Sequence, residues 1–415
     1  MEVIIIGGGI IGLSSAFYLQ QAGYTVTVID RTDLSDGCSY GNAGYICPSH
    51  FVPLATPGIV RQGLKWMLNP KSPFYIKPSL SSSMISWGLQ FMKSATKEHV
   101  ERSAVPLRDI ALLSKQLYEE WAQVPGLDFS YDPQGMLELY NTPENEHHAA
   151  DTVRDAAALG IKASLIDKAT LQQMEPDTEI RALGAVYFPG DAQLYPNQLM
   201  RSLQLYLKRN GVLFRGKEEV TGFVTEGNKV KGVKTLGGVY AADHVVVAAG
   251  VWSRELAREL QLRIPMVGGR GYSVTLENAP YKVRRSVILS EARVAISPMN
   301  GNKIRFGGTM EITGLNAPPR MQRVQGILES VKRYFPAYDV PLPPADQVWY
   351  GYRPCSADGL PHIGNMERYP NVTVATGHSM LGISLGAATG KLVGELVAGT
   401  PTSMNISPFK VERFS

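Results

Sequence analysis

Three glycines (Gly7, Gly9, Gly12), an acid (Asp30), an arginine (Arg353) and a cysteine pair (Cys38, Cys47) have types and spacings that could do chemistry. In a Gly-x-Gly-x-x-Gly run the first glycine permits a tight turn and the second lets the backbone approach a pyrophosphate. The third allows a helix to pack close to a strand. Asp30 stands 18 residues past Gly12, where a carboxylate can accept hydrogen bonds from ribose hydroxyls. An arginine grips a carboxylate through two parallel donors and fixes its plane. Cys38 and Cys47 with His50 fall short of a zinc ligand set, and no CxxC spacing supports a redox pair. They are expected to be small packing residues, and no metal is expected.

These residues need elements to hold them. Val3–Ile6 is a β-branched run, the pattern of a strand buried on both faces. A helix is expected over Ile11–Ala22, stopped by Gly23, and a second strand over Thr25–Ile29, ending at Asp30. The helix N-terminus would offer amides and partial positive charge to phosphates. This pattern predicts a dinucleotide site and leaves open whether NAD or FAD fills it. "HVVVAAG" (His244–Gly250) and "VTVATG" (Val372–Gly377) read as two more strands of the same layer. The second is followed by a small-faced helix, Met380–Val397, containing Gly382, Gly386 and Gly390. Strands so far apart in sequence imply one discontinuous nucleotide-binding domain.

The 415 residues suffice for two intertwined domains with a real core. The formal charge of +4 is spread over interleaved acids and bases, which argues against nucleic acid. Three cysteines suit a reducing compartment. The apolar N-terminal stretch carries Glu2 and no basic flank, so a signal peptide is not expected. Residues 54–125 read as helices and "DFSYDPQGMLELY" as strands around a turn at Pro133–Gly135. Four strands are expected from Met266 to Met310, with a turn at Asn300–Asn302, and a charged helix over 318–334. The stretch "GIVRQGLKWMLNPKSPFYIKP" admits a membrane-surface or partner contact. A core-facing helix is the favoured reading, because its cationic charge is thin.

The chain resembles the D-amino-acid oxidase/glycine oxidase family of FAD-dependent amine oxidoreductases, and within it most the D-amino-acid dehydrogenases. The resemblance rests on "VIIIGGGIIGLSSAFYLQQAGYTVTVID", "SYGNAGYICPSHFVPLATPG", "GLKWML", "GDAQLYPNQLMRSL", "RGYSVT" and "GYRPCSADGLPHIG" followed by "TGHSMLGISLGAATGKLVGEL". It implies an α/β fold: a Rossmann-like FAD-binding domain (1–53, 150–262 and 346–415) with a discontinuous substrate-binding domain (54–149 and 263–345). The second domain would be a mostly antiparallel sheet with helices. Position by position, it implies that Gly7, Gly9 and Gly12 meet the pyrophosphate and Asp30, usually Glu in the family, the ribose. Asn42, Ala43 and Gly44 would lie along the isoalloxazine and ribityl chain, Val220 at the adenine, and Gly377, His378, Met380 and Leu381 at the pyrimidine edge. Ile10, Ile11, Arg31, Ser39, Ala249, Gly250 and Gly382 complete the implied cofactor set. Sarcosine oxidases attach FAD through a cysteine two residues before the Arg353 position; here Gly351 stands there, so non-covalent FAD is implied.

The activity implied is oxidative deamination of D-amino acids, with D-proline and D-hydroxyproline as candidates. Hydride would pass from the α-carbon to flavin N5 and leave an imino acid. Arg353 would hold the carboxylate and Tyr272 place a hydroxyl over the substrate, while His50 and His378 are candidates at the flavin. Electrons would pass to a quinone, dye-like or protein acceptor rather than oxygen. A glycine- or sarcosine-type oxidase using oxygen, an NAD-dependent dehydrogenase and a non-catalytic flavoprotein scaffold are the alternatives. The expected location is cytoplasmic, with a peripheral contact on the inner membrane face as the variant carried by the "KWM" stretch.

Overall fold

The computed structural model describes residues 1–67, 69–77 and 81–415. Val3, Ile4, Ile5 and Ile6 are each at most 4% exposed, as a β-branched run without polar alternation demands. Their strand, Glu2–Ile6, is the centre of a six-stranded sheet. Thr25–Ile29 and Leu213–Arg215 lie on one side of it, and His244–Val247 and Val372–Thr376 on the other. Those five strands are parallel, and His362–Asn365 closes the edge antiparallel. The chain leaves Glu2–Ile6 toward Thr25–Ile29, so a crevice opens at the carboxyl ends where strand order reverses.

Helix Ile10–Gln21 lies against helix Gly386–Ala398 on this sheet. Small residues set their spacing: a Cβ on Gly390 would meet Ser14 backbone at 2.4 Å, and one on Gly386 would meet Ile10 at 2.7 Å. The glycine-rich helix begins at Gly386 rather than Met380, and turns occupy residues 380–385. Gly382 and the leucine and serine around it therefore form a loop rather than a helix N-terminus.

The second sheet has nine strands, running from Trp349–Ser356 through Met266–Leu276, Lys303–Ile312, Val294–Met299 and Ser286–Leu289. Met136–Tyr140, Gly184–Phe188 and Ser164–Asp167 continue it, and Phe74–Ile76 pairs with Lys303–Ile312. Most pairings are antiparallel, and helix Met321–Tyr334 buries one face. The expected turn forms at Gly301–Asn302, both with positive φ. "DFSYDPQGMLELY" supplies one named strand, Met136–Tyr140, plus an isolated bridge from Asp132 to Gln193.

Three strands and one helix sit elsewhere than their expected domain. Ser164–Asp167, Gly184–Phe188 and Trp349–Ser356 pair into the second sheet, because each presents β-branched or aromatic residues to it. Helix Lys97–Trp121 packs instead into the nucleotide layer. Its Tyr118 hydroxyl donates to Ile383 O at 2.7 Å and Trp121 Nε1 to the Tyr18 hydroxyl at 3.1 Å. An unforeseen three-stranded sheet, from Val220 to Ala241, flanks the crevice. The "KWM" stretch holds helix Ile59–Met67 and strand Phe74–Ile76; its Leu68 and Pro78, like Ser79 and Leu80, lie outside the described residues. Among the described residues no helix is long and apolar enough to cross a membrane.

Candidate active site

The glycine loop leaves strand Glu2–Ile6 with Gly7 at φ +109°, where a Cβ would lie 2.5 Å from Ala248 O. Only glycine fits there. A Cβ on Gly12 would lie 1.9 Å from Gly7 O, so its hydrogen lets the helix close onto the turn. Helix bonds start with Leu13 N–H to Gly9 O, and no side chain of the N-cap residue closes the first turn. Ser39 Oγ takes the Ile10 N–H at 3.0 Å. This end is therefore an anion-ready set of amides. Asp30 Oδ2 accepts from Gly8 N–H at 2.7 Å, while Oδ1 accepts from the Thr32 amide and hydroxyl, each at 2.7 Å. The acid thus pins the loop while bordering the crevice. Arg31 stacks its guanidinium 3.7 Å from the Trp252 ring centre beside Ala249 and Gly250.

From the glycine loop a cavity of about 1150 Å³ runs between the two sheets. It is lined by Gly7, Gly9, Ile10, Ile11, Asp30, Arg31, Ser39, Asn42, Ala43 and Val220, and by Ala249, Gly250, His378, Met380, Leu381 and Gly382. His50, Tyr272 and Arg353 border it too. Gly12, Gly44 and Gly377 do not. Gly44 (φ +82°) abuts Leu194 O and Gly377 (φ +81°) abuts His362. These glycines shape the wall from behind. An elongated space with open amides at one end and a cation at the other fits a flavin dinucleotide.

The strip after Asp30 is held from the opposite domain. Arg305, 5% exposed on strand Lys303–Ile312, donates to Tyr40 O at 2.9 Å, Asn42 O at 2.7 Å and Asn197 Oδ1 at 2.9 Å. Burial pulls its pKa down to about 10. Trp349 fills the space over Gly41 and Gly351: a Cβ would come within 2.1 Å of the indole at the first and 2.4 Å at the second. Neither Arg305 nor Trp349 stood out in the sequence, because each acts through a partner distant in the chain.

Arg353 lies on strand Trp349–Ser356, and its guanidinium crosses Gly271 of the neighbouring strand, where a Cβ would fall 2.3–2.5 Å from its atoms. It donates to Thr309 O. Thr309 holds φ +68°, rare for a β-branched residue, at a register shift in the ladder. Among the described residues no carboxylate pairs with Arg353. Burial lowers its pKa, and the Cys355 and Cys38 thiols are its nearest titratable neighbours.

Two catalytic expectations change. Tyr272 follows Gly271 and so points to the other sheet face. There its hydroxyl donates to Glu311 Oε2 at 2.6 Å and accepts the Arg320 N–H at 2.8 Å. Glu311 also binds Arg270, 2.9 Å away, and both are fully buried. The Tyr272 hydroxyl is thus spent in a buried network rather than held over the substrate. His378 Nε2 meets Thr389 Oγ1 at 3.0 Å, and burial pulls its pKa to about 3. It serves the packing of the glycine-rich helix.

His50 stays at the cavity wall, its Nδ1 3.1 Å from Ser49 Oγ. Cys47, His50 and Asp191 bring their ligand atoms within 4.8 Å of one another. The Asp191 carboxylate accepts from Ser49, and burial keeps the Cys47 thiol protonated by raising its pKa. Within this group the Ser49 hydroxyl links the Asp191 carboxylate to the His50 ring. Cys38 Sγ accepts the Tyr352 N–H at 3.3 Å, next to Gly351.

Comparison with known proteins agrees with this geometry. Residues 2–396 match the family model described as FAD dependent oxidoreductase, the DAO family. A D-amino acid dehydrogenase from Granulibacter bethesdensis is 30% identical over the full length of both chains. One from Helicobacter pylori is 31% identical over 95% of this chain and 94% of its own. Among solved structures, glycine oxidase from Geobacillus kaustophilus superposes with a TM-score of 0.79 at 24% identity, over 99% of this chain and 98% of its own. L-proline dehydrogenase from P. horikoshii reaches 0.75 at 20% identity, covering 100% of this chain and 97% of its own. With the glycine loop, the crevice and the nearly full-length match in place, this chain belongs to the DAO family of FAD-dependent oxidoreductases.

Proposed function

We propose that this protein dehydrogenates D-amino acids at the carbon bearing the amine, with FAD held non-covalently and electrons passed to an acceptor other than oxygen. The observation that carries the reading is Arg353, a guanidinium in a largely apolar cavity with no carboxylate partner among the described residues. Such a cation is a receptor for an anion, and a substrate carboxylate supplies it. FAD, when bound, supplies the two-electron acceptor chemistry.

The chain's own residues do the rest. Gly7, Gly9 and the amides of helix Ile10–Gln21 would hold the pyrophosphate, and Asp30 the ribose. Thr309 O aims the guanidinium. Trp66, Phe74, Trp87, Phe91 and Met310 line the cavity and exclude water from the substrate side chain. Full-length relatives named D-amino acid dehydrogenase support the D-configuration and the acceptor class. Gly351 at the position used for covalent linkage in sarcosine oxidases supports a non-covalent cofactor.

The test is an anaerobic absorbance titration of the purified holoenzyme with D- and L-amino acids, including D-proline and D-hydroxyproline. Bleaching by D-isomers alone is expected. Bleaching by L-isomers alone, or a colourless cofactor, refutes the reading. Stoichiometric peroxide in air would move the enzyme to the oxidases. Acid precipitation should release all the flavin into the supernatant.

A further inference from the structure

The amine of a free amino acid is an ammonium at neutral pH, and it must lose a proton before hydride can leave the neighbouring carbon. The cavity wall holds one connected route for that proton. Ser49 and His50 line the cavity, and Asp191 lies behind them, 1% exposed. The Ser49 hydroxyl donates to Asp191 Oδ2 at 2.5 Å, and its amide donates to Oδ1 at 3.2 Å. The same hydroxyl oxygen lies 3.1 Å from His50 Nδ1. Because the hydroxyl proton is committed to the carboxylate, the network assigns the imidazole proton to Nδ1. Nε2 is then the bare acceptor.

We propose that His50, Ser49 and Asp191 form a proton relay that takes the ammonium proton out of the substrate cavity. This rests on the reading that the substrate is an amino acid held by Arg353. The substrate N–H bond breaks as a bond forms to His50 Nε2. The Nδ1 proton passes to Ser49 Oγ, and the former Ser49 proton passes to Asp191 Oδ2. One proton leaves the ammonium and one arrives on the carboxylate, while His50 and Ser49 end neutral, with the imidazole in its other tautomer.

The surroundings suit a shuttle that never rests as imidazolium. Burial, aided by the charge of Arg293, pulls the His50 imidazole down to about 4. Cys47 faces Asp191 as a protonated thiol, and Lys115 acts on Asp191 from helix Lys97–Trp121. Burial raises the Asp191 carboxyl to about 7, so it welcomes a proton near neutrality.

The holoenzyme would be reduced anaerobically by D-alanine between about pH 6 and 10, and the limiting rate over the dissociation constant followed. A positioned base contributes about 10²–10⁴-fold. At pH 7 the Asp191→Asn and Ser49→Ala variants should therefore lose on the order of 10²-fold, with the loss vanishing toward pH 10, where the free amine is supplied by solution. Ser49→Thr should restore the wild-type profile. Benzoate affinity, which reads Arg353, should not change. A second readout uses 2-aminoisobutyrate, which has no α-hydrogen. Its binding at about pH 8.5, above the Asp191 value of about 7, should release a proton to the solution in the same kinetic phase as binding, followed with an indicator dye. In Asp191→Asn that proton release should lag well behind binding. Unchanged pH profiles in both variants, proton release equally fast in Asp191→Asn, or stoichiometric metal in the purified protein would each overturn the relay. Failure of every D-amino acid to reduce the wild type would instead refute the underlying function.

Discussion

Gly271 decides how Arg353 lies, since the guanidinium occupies the place of a missing side chain. A Gly271→Ala change puts a methyl 2.3–2.5 Å from three guanidinium atoms, which must move. Losing a charge-assisted hydrogen bond costs about 1.5–3 kcal/mol. Benzoate, followed by its perturbation of the flavin spectrum, should then bind roughly 10–100-fold more weakly at unchanged FAD content. Buried histidines set a second expectation. Burial holds His244 at about 4 and His378 at about 3, whereas an unfolded chain takes up the proton near about 6.5. The unfolded state binds more protons below that value, so stability should be full above about pH 6.5 and fall progressively toward pH 4. Urea melts at pH 5 and 7.5 would show it, and His378→Gln should flatten the slope. Single residues were legible where chemistry follows the chain, as at Gly7, Gly9 and Asp30. Tyr272 was not, because only the neighbouring strands reveal which sheet face carries the cavity. Ser49 and Asp191 were missed because 142 positions separate the hydroxyl from its carboxylate.

At the scale of elements, helix packing and one cross-domain arginine hold the cavity open. Helix Gly386–Ala398 reaches helix Ile10–Gln21 through Gly390, where a Cβ would meet Ser14 backbone at 2.4 Å. Backbone cannot give way as a side chain can, so Gly390→Ala should destabilise by about 1–3 kcal/mol in chemical denaturation. Arg305 is the element-level tether of the flavin strip. Replacing it by Lys removes the fork that serves Tyr40 O, Asn42 O and Asn197 together. Flavin titration of the apoprotein should show on the order of 10²-fold weaker binding, equivalent to one or two lost charged hydrogen bonds. The strands around the glycine loop were readable from their β-branched runs. The start of the glycine-rich helix was not, because residues 380–385 are as helix-compatible as those that follow, and tertiary contacts such as Tyr118 to Ile383 O hold them in turns.

Across the whole molecule the two sheets line the cofactor space from opposite sides, so ligand and fold are coupled. FAD at about 100 times its dissociation constant adds about 2.7 kcal/mol to stability. Apoprotein should therefore melt several degrees lower than holoenzyme and recover on adding FAD, as differential scanning calorimetry can measure. The two-layer architecture followed from the sequence, whereas the assignment of segments to layers did not. Ser164–Asp167, Gly184–Phe188 and Trp349–Ser356 cross to the second sheet on long-range pairing that local patterning cannot encode.

The order of strands in the nucleotide sheet also governs how the protein is made. Glu2–Ile6 finds Thr25–Ile29 almost at once, but its other neighbour is His244–Val247, and Val372–Thr376 completes that side. At roughly 5–20 residues per second, a ribosome delivers the last of these on the order of tens of seconds after the first. Throughout that interval an apolar parallel edge waits without its partner. The crevice for FAD draws on Gly7 and Asp30 but also on Ala375 and Thr376, so its full wall exists only once synthesis has passed the last of these strands.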